Sequence, residues 1–481
     1  MIFNSLTYLL LLVTVTGLYW VLPYRARLLL IFVSGLVFYG FWRVEFLPIL
    51  LLSAFVDWWV SLRMPGRPDR ERFRLLLVSL TVNLGLLFYF KYLIFFADNA
   101  IGLANWLGAE LDPIALNIIL PLGISFYTFQ TISYTVDVYR RLIEPERDFV
   151  LYGCYVTFFP QLVAGPVLRA AEVIHQFVHR VPFAWDDVFV GVRRVLYGLF
   201  LKVALADNLA PLVDAGYAMP LATMSALDVW TLAFLFGFQI YFDFSAYSHI
   251  ALGSARMMGI VFPENFNFPY LASSPKDFWR RWHISLSSWI RDYLYLPLAG
   301  IKVHDRSVGG LATATTDRRH NKSLFLTWGI MGLWHGANWT FLLWGLYHAA
   351  VITLYRLIEP ATRGLASRLR WWGGVAITLP VMMLGWIPFR AESLSMTFAM
   401  WAKLFDPAAY TWLGMRENVY LFAALLLVGI LATYGVKEKL LPRLARLPVL
   451  AWAGDSLSVA VMTALVIVFL RPINQFIYFQ F

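Results

Sequence analysis

Two shortages bound what this chain of 481 residues can be. It has one cysteine, Cys154, and only 14% of its residues are Asp, Glu, Lys or Arg. A single thiol excludes an internal disulfide and any cysteine cluster around a metal. So few charges, beside 60% hydrophobic residues and a mean hydropathy of +0.65, place the chain outside the range of soluble globular domains. It reads as an all-α polytopic membrane protein. Charge-free runs of spanning or near-spanning length occur at 1–24, 75–90, 113–136, 149–168, 323–355, 371–389 and 418–436, with shorter apolar runs at 28–42, 46–62, 229–242 and 456–470. Hydropathy therefore predicts about ten to twelve spans, with no soluble domain in the gaps.

The first run lacks the basic flank and small-residue cleavage site of a removable signal, so it is expected to remain as a helix. The net charge of +10 raises the question of nucleic acid. Its basic residues, however, sit in short loops between apolar runs, as the positive-inside rule expects of a cytoplasmic face. Arg25 and Arg27, then Arg63, Arg67, Arg70, Arg72 and Arg74, flank one apolar hairpin, which puts both loops inside and the amino terminus outside. Basic clusters over 302–322, 363–370 and 437–446 are expected on the same side. The chain is read as one membrane domain, 1–481, with scaffold helices over 1–110, a core over 111–350 and further helices over 351–481. No convergent polar groups are expected in the first hundred residues.

Candidate chemistry stands out against this apolar background. Ser323–Tyr355 is thirty-three residues without Asp, Glu, Lys or Arg, interrupted by Gly332-Leu333-Trp334-His335-Gly336-Ala337-Asn338. An ionisable group at membrane depth is costly and persists where a cavity, a partner or a reaction needs it. His335 is taken as the residue of this run that exchanges a proton, with glycines on both sides letting backbones approach closely and leaving room for a ligand next to the ring. The alternative is an imidazole hydrogen-bonded inside a helix bundle.

Pro275–Pro297 mixes Trp, Arg and Lys, which suits a helix lying at the interface or dipping into a protein-lined cavity, or one that merely anchors. Helical spacing puts Asp277 near Arg281 and His283 near Ser287. Asp243 lies between aromatic residues and must be paired, hydrogen-bonded or protonated. It could orient a catalytic histidine or staple two helices. Polar residues over Pro121–Gln130 line a cavity or pack helices, and Pro160 and Pro166 imply a broken helix. His175 and His179 share a helix face but have no Glu base and no third ligand, so no metal is assigned.

Phe278-Trp279-Arg280-Arg281-Trp282-His283-Ile284-Ser285-Leu286-Ser287 with Trp289-Ile290-Arg291-Asp292-Tyr293, and Gly332 to Asn338, resemble the two signature segments of the membrane-bound O-acyltransferase family. Tyr241 to Ser245, Leu122 to Phe126 and Ala164 to Val167 are similar to it too. The loop after Tyr295 departs from the family pattern, with a long insert through Asn321. The resemblance implies a ring of helices around a through-membrane tunnel, with His335 as catalytic residue and His283 as its companion. In the bacterial polysaccharide branch, an acyl group from a cytoplasmic donor reaches the outer side, where a periplasmic or surface acetyltransferase partner passes it to an exported polysaccharide.

The expected enzyme is thus an O-acyltransferase of the inner membrane, with no bound cofactor and acetyl-CoA as acyl donor. A neutral His335 would accept a proton from the attacking hydroxyl. His283 or Asn338 would polarise the thioester carbonyl or hold the hydroxyl. Arg280, Arg281 and Arg291 would contact donor phosphates or hold the segment at the interface. Trp334, Trp282, Asp243 and Ser287 complete the expected substrate-binding set. Alginate is one possible polymer; peptidoglycan or cellulose acetylation and teichoic-acid D-alanylation are alternatives. The rival class is a proton-coupled transporter with the two histidines as a relay, against which stands the lack of an internal repeat. A third reading is a passive platform for a secreted acetyltransferase.

Overall fold

The computed structural model describes residues 3–114, 116–163, 165–301, 319–362, 364, 367–444 and 446–470. Most of the insert after Tyr295, Ala164 and the last eleven residues lie outside that set. Among the described residues all regular elements are helical.

One compact unit comprises 1–195 and 250–263. It contains α1 (Leu6–Val21), α2 (Tyr24–Gly40), α3 (Leu47–Leu62) and α4 (Asp69–Leu87), which passes through a π-helical turn into α5 (Leu93–Trp106). There follow α6 (Ile124–Tyr139), α7 (Phe149–Thr157), α8 (Ala170–Val178) and most of α9 (Trp185–Phe200). Ser5 and Asp148 start α1 and α7 by accepting N–H groups that have no intrahelical partner. Gly123 starts α6 at φ 72°, where a Cβ would lie 2.9 Å from the Leu162 carbonyl oxygen. Both the left-handed backbone and the close approach require glycine there.

The expectation that the first hundred residues hold no convergent polar groups is wrong. Asp57 of α3 accepts hydrogen bonds from Ser79 and, at 2.8 Å, from Asn83, both on α4. Asn83 in turn accepts from Ser53 at 2.5 Å and from Thr131 of α6 at 3.4 Å. All five side chains are buried. A carboxylate so placed needs donors; both of these come from α4, and Asn83 extends the network to Thr131 of α6.

The second unit comprises 196–249 and 264–481. It holds α10 (Asp207–Tyr217), α11 (Ala226–Met257, whose last eight residues count with the first unit), α12 (Pro275–Arg281), α13 (Ile284–Ile290) and α14 (Leu296–Leu298). After these come α15 (Arg319–His335), α16 (Trp339–Thr362), α17 (Ser367–Arg390), α18 (Leu394–Lys403), α19 (Glu417–Gly435), α20 (Leu441–Leu444) and α21 (Pro448–Val468).

Seven described helical stretches are long and apolar enough to cross a membrane: 44–62, 69–106, 226–257, 339–362, 369–390, 417–443 and 449–468. Several of the ten to twelve expected runs are broken instead. In 113–136 the helix begins only at Ile124, and in 149–168 it stops at Thr157, ahead of Pro160 and Pro166, because proline cannot supply the N–H that would continue it. The run 323–355 is an antiparallel hairpin, since α15 ends at His335 and α16 starts at Trp339.

Candidate active site

The polar aromatic segment forms two short helices with a break between them. Ser274 caps α12 by accepting the Asp277 N–H, with Pro275 at the first helical position. Phe278, Trp279 and Trp282 are buried, and the expected Arg281–Asp277 pair forms at 2.9 Å. The chain then turns at His283, which takes φ 44° and ψ 56° before α13. Left-handed backbone is costly for a residue with a Cβ and persists where the surroundings hold it. Here Asn265 holds it. Its Oδ1 accepts the Ser285 N–H at 3.2 Å and the Ser285 hydroxyl at 2.9 Å, and it lies 3.2 Å from His283 Nδ1. Its Nδ2 donates to Ser248 Oγ at 3.0 Å, and its carbonyl accepts the Ile284 N–H at 2.9 Å. His283 is 1% exposed, edge-on to Phe244 at 4.5 Å. Burial pushes its imidazole down to about 3, so the ring is neutral at physiological pH.

The second candidate closes α15. His335 is 6% exposed, with its ring 4.8 Å from Trp334, 4.9 Å from Trp344 and 5.3 Å from Phe389. Gly336, Ala337 and Asn338 then reverse the chain. Of the two effects expected of the glycines, close backbone approach is found at Gly332, while the space beside Gly336 is taken by a ring. A Cβ on Gly332 would stand 2.3 Å from the Phe341 carbonyl oxygen, and one on Gly336 2.1 Å from the Phe341 ring. Gly332 thus lets the α15 and α16 backbones touch, and Gly336 makes way for the Phe341 ring.

An aromatic chain joins the two histidines. Phe389, against His335, is 5.5 Å from Trp386, and Trp386 is 4.9 Å from Trp282, the residue before His283. Trp282, His283, Trp334 and His335 thus belong to one buried assembly. Ser287 sits beside it, but its hydroxyl donates to the Trp282 carbonyl at 3.2 Å. Asn338 is exposed and caps α16, accepting the Thr340 N–H at 3.0 Å. Arg291 pairs with its neighbour Asp292. Asp243 lies 2.6 Å from Lys202, which also meets Asp207 at 2.9 Å; this is the pairing that a buried carboxylate needs. Arg280 and Arg281 line a cavity of about 370 Å³ together with Lys276, Tyr355 and Glu359. Lys276 pairs with Glu359 at 2.7 Å, while Arg280 makes no ion pair among the described residues.

Three participants were missed. Asn265 lies in a loop, and only the fold carries it to His283. Trp386 opens the segment Trp386 to Glu392, which stands apart from the scaffold character of the carboxy-terminal third, but no role follows from the sequence there. His348 was visible, since the run 323–355 contains this second imidazole, yet His335 alone was singled out there. His348 is 1% exposed, 4.9 Å from Trp344 and 5.0 Å from Trp279, and neither ring nitrogen has a hydrogen-bond partner among the described residues.

Residues 147–390, which contain this whole assembly, match the membrane-bound O-acyltransferase family. The chain belongs to that family. A probable alginate O-acetylase of Azotobacter vinelandii is 37% identical over 446 residues, 91% of this chain and 85% of that protein. A peptidoglycan O-acetyltransferase of Helicobacter pylori is 34% identical over 392 residues, 75% of this chain and 70% of its own. A teichoic acid D-alanyltransferase of Bacillus subtilis is 30% identical over 252 residues, 50% of this chain and 60% of its own. This membrane-bound O-acyltransferase is accordingly a multi-pass membrane enzyme that takes an acyl donor and an acceptor.

Proposed function

We propose that the enzyme moves an acetyl group from a cytoplasmic thioester, acetyl-CoA, across the inner membrane for O-acetylation of an exported polysaccharide such as alginate, with a periplasmic or surface acetyltransferase as partner. The observation that carries the reading is the buried pair His283 and His335 joined through Trp282, Trp386 and Phe389, in a chain 37% identical to a probable alginate O-acetylase. His335 takes the proton of the attacking hydroxyl as its oxygen bonds to the thioester carbonyl carbon. Collapse of the tetrahedral intermediate breaks the carbon–sulfur bond, and the imidazolium returns the proton to the leaving thiolate. Water excluded by the surrounding rings strengthens each electrostatic contact in the site. The cavity beside α12 receives the donor's phosphates, with Arg280 as the cation available to them.

Peptidoglycan is the second reading of the acceptor, favoured by the 34% identity to the Helicobacter pylori relative. The experiment is to compare acetyl esters in the envelope of a deletion strain carrying either the native gene or His335→Ala, with labelled acetyl-CoA turnover measured in nanodiscs. The native protein restores esters on one polymer and consumes acetyl-CoA, and His335→Ala does neither while melting normally. Full restoration by His335→Ala would overturn the base assignment.

A further inference from the structure

We propose that Asn265 is a positioning residue that fixes the tautomer of His283, so that Nε2 of the ring receives a hydrogen bond from an O–H of the acceptor and does not donate one to the thioester carbonyl. The proposal rests on reading His283 as the companion of His335.

The two ends of an amide side chain are told apart by their partners. The Ser285 main-chain N–H can only donate, so the Asn265 atom 3.2 Å from it is the oxygen. The nitrogen end accordingly faces Ser248 Oγ at 3.0 Å. His283 Nδ1 is 3.2 Å from that same oxygen. An amide oxygen carries no proton, so the ring nitrogen supplies it. A neutral imidazole has one N–H, and Nε2 is left with the lone pair.

The backbone holds this arrangement on both sides. Asn265 takes up the first two N–H groups of α13, that of Ile284 through its carbonyl and that of Ser285 through its side chain. Two residues on, the Asn267 N–H donates to the Arg281 carbonyl at 2.9 Å, and Arg281 Nη1 returns a bond to the Asn267 carbonyl at 3.4 Å. His283 is therefore clamped between two anchored neighbours in a left-handed conformation, with its ring pointed by a third contact. An amide serving only to cap α13 would have no need to engage the imidazole.

The chemical consequence separates two roles that composition leaves open. Stabilising the oxyanion of a tetrahedral intermediate requires a donor, and a ring whose single N–H is committed to Asn265 has none to give. It can receive a hydrogen bond, which suits an acceptor rich in hydroxyls.

The experiment is ¹⁵N NMR of the histidine-labelled full-length protein in nanodiscs, with the His283 signals identified by subtracting a His283→Gln spectrum. The expected spectrum shows a protonated Nδ1 and an unprotonated Nε2. A protonated Nε2 in the unmodified protein overturns the proposal without any need of a further variant. Asn265→Ala is expected to lose the single tautomer and about 100-fold in kcat, with donor KM nearly unchanged. Asn265→Asp, which keeps an oxygen acceptor toward Nδ1, is expected to retain the tautomer and recover most of kcat. A purely structural cap predicts instead that Asn265→Ala lowers the melting temperature while the ring keeps its single tautomer, because aspartate and asparagine cap a helix about equally well and kcat alone would not separate the two roles. If His283→Gln leaves transfer intact, the companion role fails, while the spectrum still decides the tautomer.

Discussion

Gly332 and Gly345 meet backbone to backbone across the α15–α16 hairpin: a Cβ on Gly345 would lie 3.3 Å from Gly332 Cα and 2.1 Å from the Trp328 carbonyl oxygen. The contact sits one turn before His335 and sets where that imidazole emerges. Gly345→Val forces the helices apart. The expected result is a loss of about 1–3 kcal/mol in stability, the usual cost of overpacking, together with transfer activity well below that of the native protein. Thermal melting and acetyl-CoA turnover in nanodiscs measure the two effects. Unchanged melting would mean the hairpin is looser than the contact implies.

Lys202 is the cation between Asp207 and Asp243, its side chain 2% exposed against 13% and 4%. Lys202→Met leaves two carboxylates without it. Breaking a buried pair from one side costs about 3–5 kcal/mol, so this variant is expected to melt far earlier than native protein. A melting temperature equal to the native one would show that the pair is not a staple.

The depressed pKa of His283 makes a signed prediction. The ordinary value of 6.5 applies to the unfolded chain and about 3 to the folded one. Between those values the unfolded state binds a proton that the folded state does not. Stability from this group is thus fully present above pH 6.5 and declines as pH falls below it, by at most about 1.4 kcal/mol per unit. His283→Gln removes that share of the slope. Parallel pH–stability curves for the two proteins would show that the ring is not held neutral by folding.

Arg280 reaches the cavity beside α12 without an ion-pair partner among the described residues. If donor phosphates bind there, Arg280→Glu is expected to raise the donor KM about tenfold, the effect of losing about 1.4 kcal/mol of binding. Turnover at saturating donor should stay close to native. Steady-state kinetics over a range of acetyl-CoA concentrations distinguishes this from an anchoring role, which would leave KM where it is.

Much of the site was legible because its signals are local. His283 beside a run of tryptophans and His335 in a charge-free stretch need only their neighbours in sequence to stand out, and the Asp277–Arg281 pair follows from helical spacing. Asn338 and Ser287 look like substrate ligands in the sequence because hydroxyl and amide groups near a histidine invite that role. The backbone takes one polar function of each, Asn338 Oδ1 as a helix cap and the Ser287 O–H through the Trp282 carbonyl, since N–H groups at helix ends and side-chain donors in a buried segment need partners.

By itself the sequence determined that this is a helical membrane enzyme and which histidines are its candidates, because apolar length, scarcity of charge and the two signature segments are properties of consecutive residues. Which polar groups meet was decided by the tertiary structure. Asn265 reaches His283, Lys202 reaches Asp243, and Asp57 collects Ser79 and Asn83. These buried groups take the partners that the packed helices bring within about 3 Å, and that distance has no counterpart in the order of residues along the chain.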